Sequence, residues 1–396
     1  MINIALLGFG VVGSGCAEVL TSVKDKIAAQ IGDEICIKYI LDLRDFPNSP
    51  FADLVVHDFN VILNDPEVTV VAEMMGGSHP AYDFSLACLK AGKNVVTSNK
   101  EVVSNFGVEL CAVAAENNVR YLFEASVGGG IPVIRPMIND LASNKITKIC
   151  GILNGTTNYI LTKMRDNGES FSDALSAAQK LGYAEANPSA DVDGIDAARK
   201  IVILAALASG KLISPKTIHT EGITSISLLD TKIAESFGCS IKLIGQTHVN
   251  ENGLVALVSP CFVPKTNPLS RIDDVFNGIL IDANMVGEVM FYGPGAGKLP
   301  TASAVVADII DIIANREAEV KAINWSEAKE NDLSNFENFE CKRIIIANAP
   351  ISLKANIIKK VSDNGAYAYL TEPISEAAVS ALKADHPEIT SIFRMI

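Results

Sequence analysis

The run Gly8-Phe9-Gly10-Val11-Val12-Gly13 narrows what the N-terminal part of this chain can fold into more than any other feature. It follows directly on an apolar stretch that begins at Ile2, and it opens an amphipathic one. A G-x-G-x-x-G in that setting uses its glycines for a tight turn, for close approach of a pyrophosphate to the backbone, and for close packing of helix on strand. The helix N-terminus behind it presents unpaired N–H groups and the positive end of a dipole to phosphate. Standing alone, the pattern could equally be a glycine-rich turn with no ligand. Here β-rich runs at 2–8, 35–43, 68–74, 94–98 and 119–125 alternate with helical stretches at 12–30, 81–91 and 101–117. That rhythm predicts parallel βαβ units in a doubly wound sheet that binds a dinucleotide.

The pattern changes after residue 125. Strands at 145–153, 241–249, 254–262, 278–282 and 288–292, with helices between them, predict a second, α+β domain on a mixed sheet. A strongly apolar helix is expected over 301–315, and the polar stretch 326–340 reads as a linker. The rest reads as a small βαβαβ unit over 341–396, with strands at 341–349, 366–371 and 390–395 and helices at 352–363 and 374–384.

Composition removes several function classes. With 46 acidic against 33 basic side chains the formal charge is −13, the wrong sign for a nucleic-acid or anionic-membrane partner. No apolar run reaches the roughly 18 residues that a membrane-spanning helix needs. A strand starting at Ile2 leaves no room for a secretory leader. The eight cysteines form no C-x-x-C and the five histidines no H-E-x-x-H, so a catalytic zinc is not expected. Reduced thiols in a cytoplasmic protein are the plain reading.

Five further segments hold the candidate chemistry. The second strand runs into Asp42-Leu43-Arg44-Asp45: an Asp there accepts from the ribose 2′-OH of NAD, whereas Arg44 suits the 2′-phosphate of NADP. NADP is slightly favoured. Ser98-Asn99-Lys100 places a lysine at the carboxyl end of a strand and at a helix start, where a cation is unfavourable. Glu124-Ala125-Ser126-Val127-Gly128-Gly129-Gly130-Ile131-Pro132 is either a tight loop or a set of carbonyls suited to Na⁺. Asn154-Gly155-Thr156-Thr157-Asn158 is rich in hydrogen-bonding groups, much of which a simple helix cap explains. Finally, an acidic loop from Tyr183 leads into Asp196-Ala197-Ala198-Arg199-Lys200 and a fully apolar helix. Asp196 and Lys200, at i and i+4, share a face. An ordinary surface ion pair has the same spacing, but the apolar helix behind it should be buried, which suits a desolvated lysine acting as acid.

Together the stretches GFGVVG, SNK at 98–100, EASVGGGIP at 124–132, GILNGTTNYIL at 151–161, YAEANPSADVDGIDAARK at 183–200 and MFYGPGAGKLPTASAVVADI at 290–309 resemble homoserine dehydrogenases. The resemblance implies NAD(P)H-dependent reversible reduction of L-aspartate 4-semialdehyde to L-homoserine. It implies Lys200 as proton donor, Asp196 as its orienting partner and Lys100 between substrate and nicotinamide. Glu185 and Asp191 would bind the substrate, beside Gly155, Thr156 and Tyr183. Glu124, Val127, Gly129 and Ile131 would correspond to a sodium site, and Gly295 would close over the nicotinamide. It further implies a nucleotide domain of 1–125 plus about 296–320, a catalytic and dimerisation domain of 126–295, and a homodimer. The unit at 341–396 would be a degenerate ACT-like domain: it lacks the usual Pro-Gly turn, having Asn348-Ala349-Pro350 there, and it is one strand short. Threonine inhibition is therefore expected to be weak or absent.

Overall fold

The computed structural model describes residues 1–353, 355–363 and 365–396. These form two compact units, the first of residues 1–143, 210–214 and 293–327, the second of 144–209, 215–292 and 328–396.

In the first unit the chain runs β1 (Ile2–Leu7), α1 (Val11–Ser22), α2 (Lys24–Ile31), β2 (Ile35–Leu41), β3 (Val55–Val56), α3 (Phe59–Leu63) and β4 (Val68–Glu73). It continues through α4 (Ala81–Lys90), β5 (Asn94–Thr97), α5 (Lys100–Glu116), β6 (Tyr121–Leu122) and α6 (Ile134–Ile138). The sheet order is β3-β2-β1-β4-β5-β6 with every pair parallel, the doubly wound arrangement read from the sequence. Strand order reverses between β1 and β4, which opens a crevice at their carboxyl ends. The single helix expected over 12–30 is instead two, because Val23 leaves helical geometry at φ −121°, ψ 24°. No glycine or proline announces that break. The core joins Ile4, Leu6, Val70, Ala72 and Val96 of the sheet to Cys16, Ala17 and Leu20 of α1. Ala302, Val305, Ile309 and Ile312 of the helix Lys298–Ala314 complete it, so this later helix is integral to the first unit.

The second unit opens with β7 (Ile146–Ile152), α7 (Gly155–Asn167), α8 (Phe171–Lys180), α9 (Ser189–Val192) and α10 (Ile195–Ser209). β7 pairs antiparallel with both Phe276–Ala283 and Cys239–Asn250, and Cys239–Asn250 pairs antiparallel with Gly253–Pro264. α10 lies on those two long strands and buries everything from Ile201 to Ala206. Such a helix, apolar nearly all round, can only be an interior one.

The C-terminal segment departs from the βαβαβ expectation. The helix expected over 352–363 is a strand, Ile357–Asp363, paired antiparallel with Ala366–Thr371; Lys354 lies outside the described residues. The element order after residue 339 is therefore strand, strand, strand, a two-residue strand, helix, strand. A helix is missing rather than a strand. Nor is the segment a separate sheet, since Ile389–Met395 pairs parallel with Gly253–Pro264 through Cys261–Arg394 and Phe262–Met395. Lys359 and Lys360 lie on the edge strand of the sheet, where charge deters further pairing.

An ionic group built on two buried arginines pins this segment. Arg394 donates to Glu221 at 2.6 Å and to Glu376 at 2.9 Å, and Arg343 donates to Glu376 at 2.6 Å. Burial alone would raise the Glu221 carboxyl, but His219 and Arg394 outweigh it and bring it down to about 2. A carboxyl depressed in the fold contributes stability above its unfolded value, lost as pH falls towards the folded one. Between pH 6 and pH 3 the urea midpoint of the parent should therefore fall further than that of Glu221→Gln. Equal losses would deny the group this role.

Candidate active site

The two sets of candidate residues lie one in each unit. In the first, Gly8 directly follows β1 at φ +91°, a conformation in which a side chain is strained. Gly13 sits where a Cβ would lie 2.0 Å from the Gly8 carbonyl oxygen, so only hydrogen fits. Gly10 has open space around its Cα, and Val11, the first residue of α1, is two-thirds exposed (67%) with Val12 half-buried behind it. The turn thus leaves the N-terminus of α1 bare for a phosphate. Phe9 plays a different part: its ring packs edge-on against Phe46 and Phe51, and its N–H donates to Asp42 Oδ2 at 2.8 Å.

That bond bears on cofactor choice. Asp42 accepts from Phe9 N–H, from Arg44 N–H at 3.1 Å, and from Arg44 Nε and Nη2 at 2.9 Å each. Arg44 holds its carboxyl well below the usual carboxylate range, against partial burial. The acid is engaged by its own chain, while the Arg44 side chain is 63% exposed.

At the carboxyl ends of β4 and β5, Ser98 is half-buried and Lys100 is the first residue of α5, with Asn99 as its cap. The motif reading missed Glu73, the fully buried last residue of β4, whose carboxyl burial pushes up to about 7. A lone acid ending an apolar strand was the available signal.

The glycine loop lies in the same unit. The Glu124 carboxylate caps α6: Oε1 accepts from Val133 and Ile134 N–H at 2.7 and 2.8 Å, and Oε2 from Arg135 N–H at 2.7 Å. The carbonyls of Val127, Gly129 and Ile131, all buried, accept no hydrogen bond among the described residues. Gly129, at φ +59°, packs against Gly295, whose carbonyl oxygen lies 2.5 Å from where a Cβ would be.

In the second unit, Lys200 Nζ donates to Asp196 Oδ2 and to the Leu153 carbonyl, both at 2.7 Å, with both side chains about nine-tenths buried. Asn154 Nδ2 bridges Asp191 Oδ1 at 2.7 Å and Asp196 Oδ2 at 2.9 Å, while its Oδ1 caps α7 through Thr157 N–H. The end of β7, the start of α7, α9 and α10 thus converge on one polar cluster. The spacing of Asp196 and Lys200 could not tell a surface pair from this buried one; Asn154, hidden within a capping motif, is what joins Asp191 to Asp196. Thr156 Oγ1 donates to the Tyr183 carbonyl at 2.6 Å, which ties the acidic loop to Gly155 and α7. Tyr183 is 44% exposed. Glu185 is exposed, and its carboxylate makes no hydrogen bond to the cluster among the described residues.

Comparison with known proteins identifies the family. Residues 132–310 match the homoserine dehydrogenase family, and residues 8–124 match the family described as homoserine dehydrogenase, NAD binding domain. The homoserine dehydrogenase of Lactococcus lactis is 40% identical over 341 residues, which cover 84% of this chain and 79% of that protein. That of Neisseria gonorrhoeae is 43% identical over 321 residues, covering 80% and 74%. Among solved structures, a homoserine dehydrogenase from Thiobacillus denitrificans superposes with a TM-score of 0.90 at 31% identity, over 100% of this chain and 98% of that one. A hyperthermophilic archaeal homoserine dehydrogenase in complex with NADPH gives 0.69 at 28% identity, over 81% and 99%. The chain belongs to the homoserine dehydrogenase family, NAD(P)-dependent oxidoreductases that interconvert L-homoserine and L-aspartate 4-semialdehyde.

Proposed function

We propose that Lys200 is the proton donor of this dehydrogenase and NADP(H) its preferred cofactor. The observation that carries the first part is the pair of 2.7 Å bonds that fix Lys200 Nζ between Asp196 and the Leu153 carbonyl in a nearly dry setting. The bound nicotinamide supplies hydride to the aldehyde carbon in one direction and accepts it in the other. As the carbonyl oxygen gains negative charge, a preorganised ammonium stabilises it and passes it a proton. Asp196 and the Leu153 carbonyl hold the ammonium in place, so little reorganisation is needed. In the reverse direction the neutral amine takes the hydroxyl proton back. Asp191, held by Asn154, and Glu185 on the exposed loop are the carboxylates for the substrate ammonium, flanked by Gly155, Thr156 and Tyr183. Lys100 acts on the same reaction from the head of α5, with Ser98 and Gly295 beside the nicotinamide. A non-catalytic nucleotide sensor would have no use for a lysine held this way.

NADP is favoured because Asp42 is already engaged, whereas the exposed Arg44 has donors suited to a 2′-phosphate; the archaeal relative solved with NADPH points the same way. A monovalent cation such as Na⁺ would be held at Glu124, Val127, Gly129 and Ile131, mostly through backbone oxygens, with the Glu124 carboxylate also shaping the loop. Among the described residues no group of three or more His, Cys, Asp or Glu side chains is placed to hold a metal ion. A homodimer is supported by the edge strand Gly287–Pro294, where Met290 and Tyr292 are exposed beside Met285 and Val286. A cytoplasmic setting suits the eight free thiols. No helix among the described residues is long and apolar enough to cross a membrane.

The deciding assay is homoserine-dependent reduction of NAD⁺ and NADP⁺, run side by side. Turnover with both, and a higher kcat/KM for NADP⁺, is the expected result. A preference for NAD⁺ removes the role given to Arg44.

A further inference from the structure

The carboxyl ends of β4 and β5 hold a chain of hydrogen bonds that the reaction scheme has not used. Glu73, 0% exposed, accepts at Oε1 from Met75 N–H at 2.7 Å and at Oε2 from the Thr97 hydroxyl at 2.5 Å. Thr97 Oγ1 accepts in turn from Asn99 N–H at 2.9 Å. Asn99 then does two things. Its Oδ1 accepts from Glu101 and Val102 N–H at 3.1 and 3.2 Å, capping α5, and its Nδ2 donates to the Met75 and Gly77 carbonyls at 3.2 and 2.8 Å. The chain therefore runs from a buried carboxylate to the first turn of the helix that begins with Lys100.

Burying a carboxylate is costly unless hydrogen bonds compensate it, and an apolar side chain of similar size would close the end of β4 without that cost. What an apolar residue could not do is fix the Thr97 hydroxyl and, through it, the direction in which the backbone at 97–100 leaves the sheet. We infer that Glu73 is a positioning residue for Lys100: it orders the Thr97–Asn99 chain that caps α5 and so sets where the lysine at the head of that helix stands. Supporting groups of this kind hold reacting ones within the narrow tolerance that catalysis requires. The inference rests on the reading of Lys100 as part of the reaction site.

A kinetic double-mutant cycle separates the two claims. A carboxamide at 73 keeps the shape but must turn an N–H₂ towards either the Met75 N–H or the Thr97 hydroxyl. Glu73→Gln should lower kcat by about 10- to 100-fold, the usual cost of losing a supporting partner, with NADPH affinity and homoserine KM little changed. Lys100→Met should also lower kcat. If Glu73 acts through Lys100, Glu73→Gln/Lys100→Met is no slower than Lys100→Met alone, whereas a general loosening of the fold would multiply the two losses. Should Glu73→Gln fail to fold, the isosteric Thr97→Val breaks the same chain and takes its place. Multiplied losses, or a near-parental kcat in the position-73 variant, overturn the inference. An undiminished kcat in Lys100→Met overturns the reading beneath it.

Discussion

Lys200→Ala is expected to lower kcat by about 10²- to 10⁴-fold, the range for loss of a positioned acid, while NADPH still binds. The cofactor groups proposed above belong to the first unit, whereas Lys200, Asp196, Leu153 and Asn154 all belong to the second. Truncation also strands Asp196: a buried carboxylate that loses its cation costs about 3–5 kcal/mol. Asn154 Nδ2 still donates to it, which softens the loss. The variant should therefore melt lower, and rates must be compared on folded protein, with NADPH fluorescence reporting the intact nucleotide site. Turnover close to the parent, measured on protein that binds NADPH normally, would remove Lys200 from the mechanism.

The other large effect concerns the second strand's end. Arg44→Ala should raise KM for NADPH by about 10- to 100-fold, equivalent to the roughly 1.5–3 kcal/mol of a hydrogen bond to a charged group. KM for NADH should stay level or fall. The reason lies in Asp42: the Arg44 guanidinium contributes two of the four hydrogen bonds its carboxylate accepts, and the N–H groups of residues 9 and 44 keep the other two. Without the guanidinium an oxygen becomes available to a ribose 2′-OH. An unchanged KM for NADPH would mean that the 2′-phosphate is held elsewhere.

Much of this was readable in the sequence, for identifiable reasons. Parallel strands buried on both faces announce themselves as apolar runs, and β1, β4 and β5 were found to within a residue or so at either end. The glycine turn was legible because its requirements are local. What depends on distant partners was not. Val23 breaks the first helix with no local signal. The strand Ile357–Asp363 carries two lysines and passed for a helix, because its pairing with Ala366–Thr371 decides the matter. At the site, Lys200 and Asp196 were visible as a spacing, whereas their burial depends on strands forty and more residues away. Asn154 and Thr97 each look like ordinary local hydrogen-bonding residues. Their second partners, Asp191, Asp196 and Glu73, lie between 24 and 42 residues off along the chain. Nor was it legible that the Glu124 carboxylate, in a segment expected to offer mostly backbone oxygens to a cation, accepts from three N–H groups at the start of α6.

The setting of Lys200 also limits how such an enzyme can be redesigned. It rides on α10, where nearly every residue from Asp196 to Ala206 is enclosed and Ile201 meets the strand beneath at Gly245 with no slack. Shifting that helix to admit a longer or shorter amino-acid substrate would reopen the interior of the second unit. The stretch 183–187, exposed except at Ala184, is tied down through Thr156 and Gln179, and its exposed positions can be rebuilt without touching that interior. Altered chain-length selectivity should therefore be sought by library variation there, leaving the proton donor where it is.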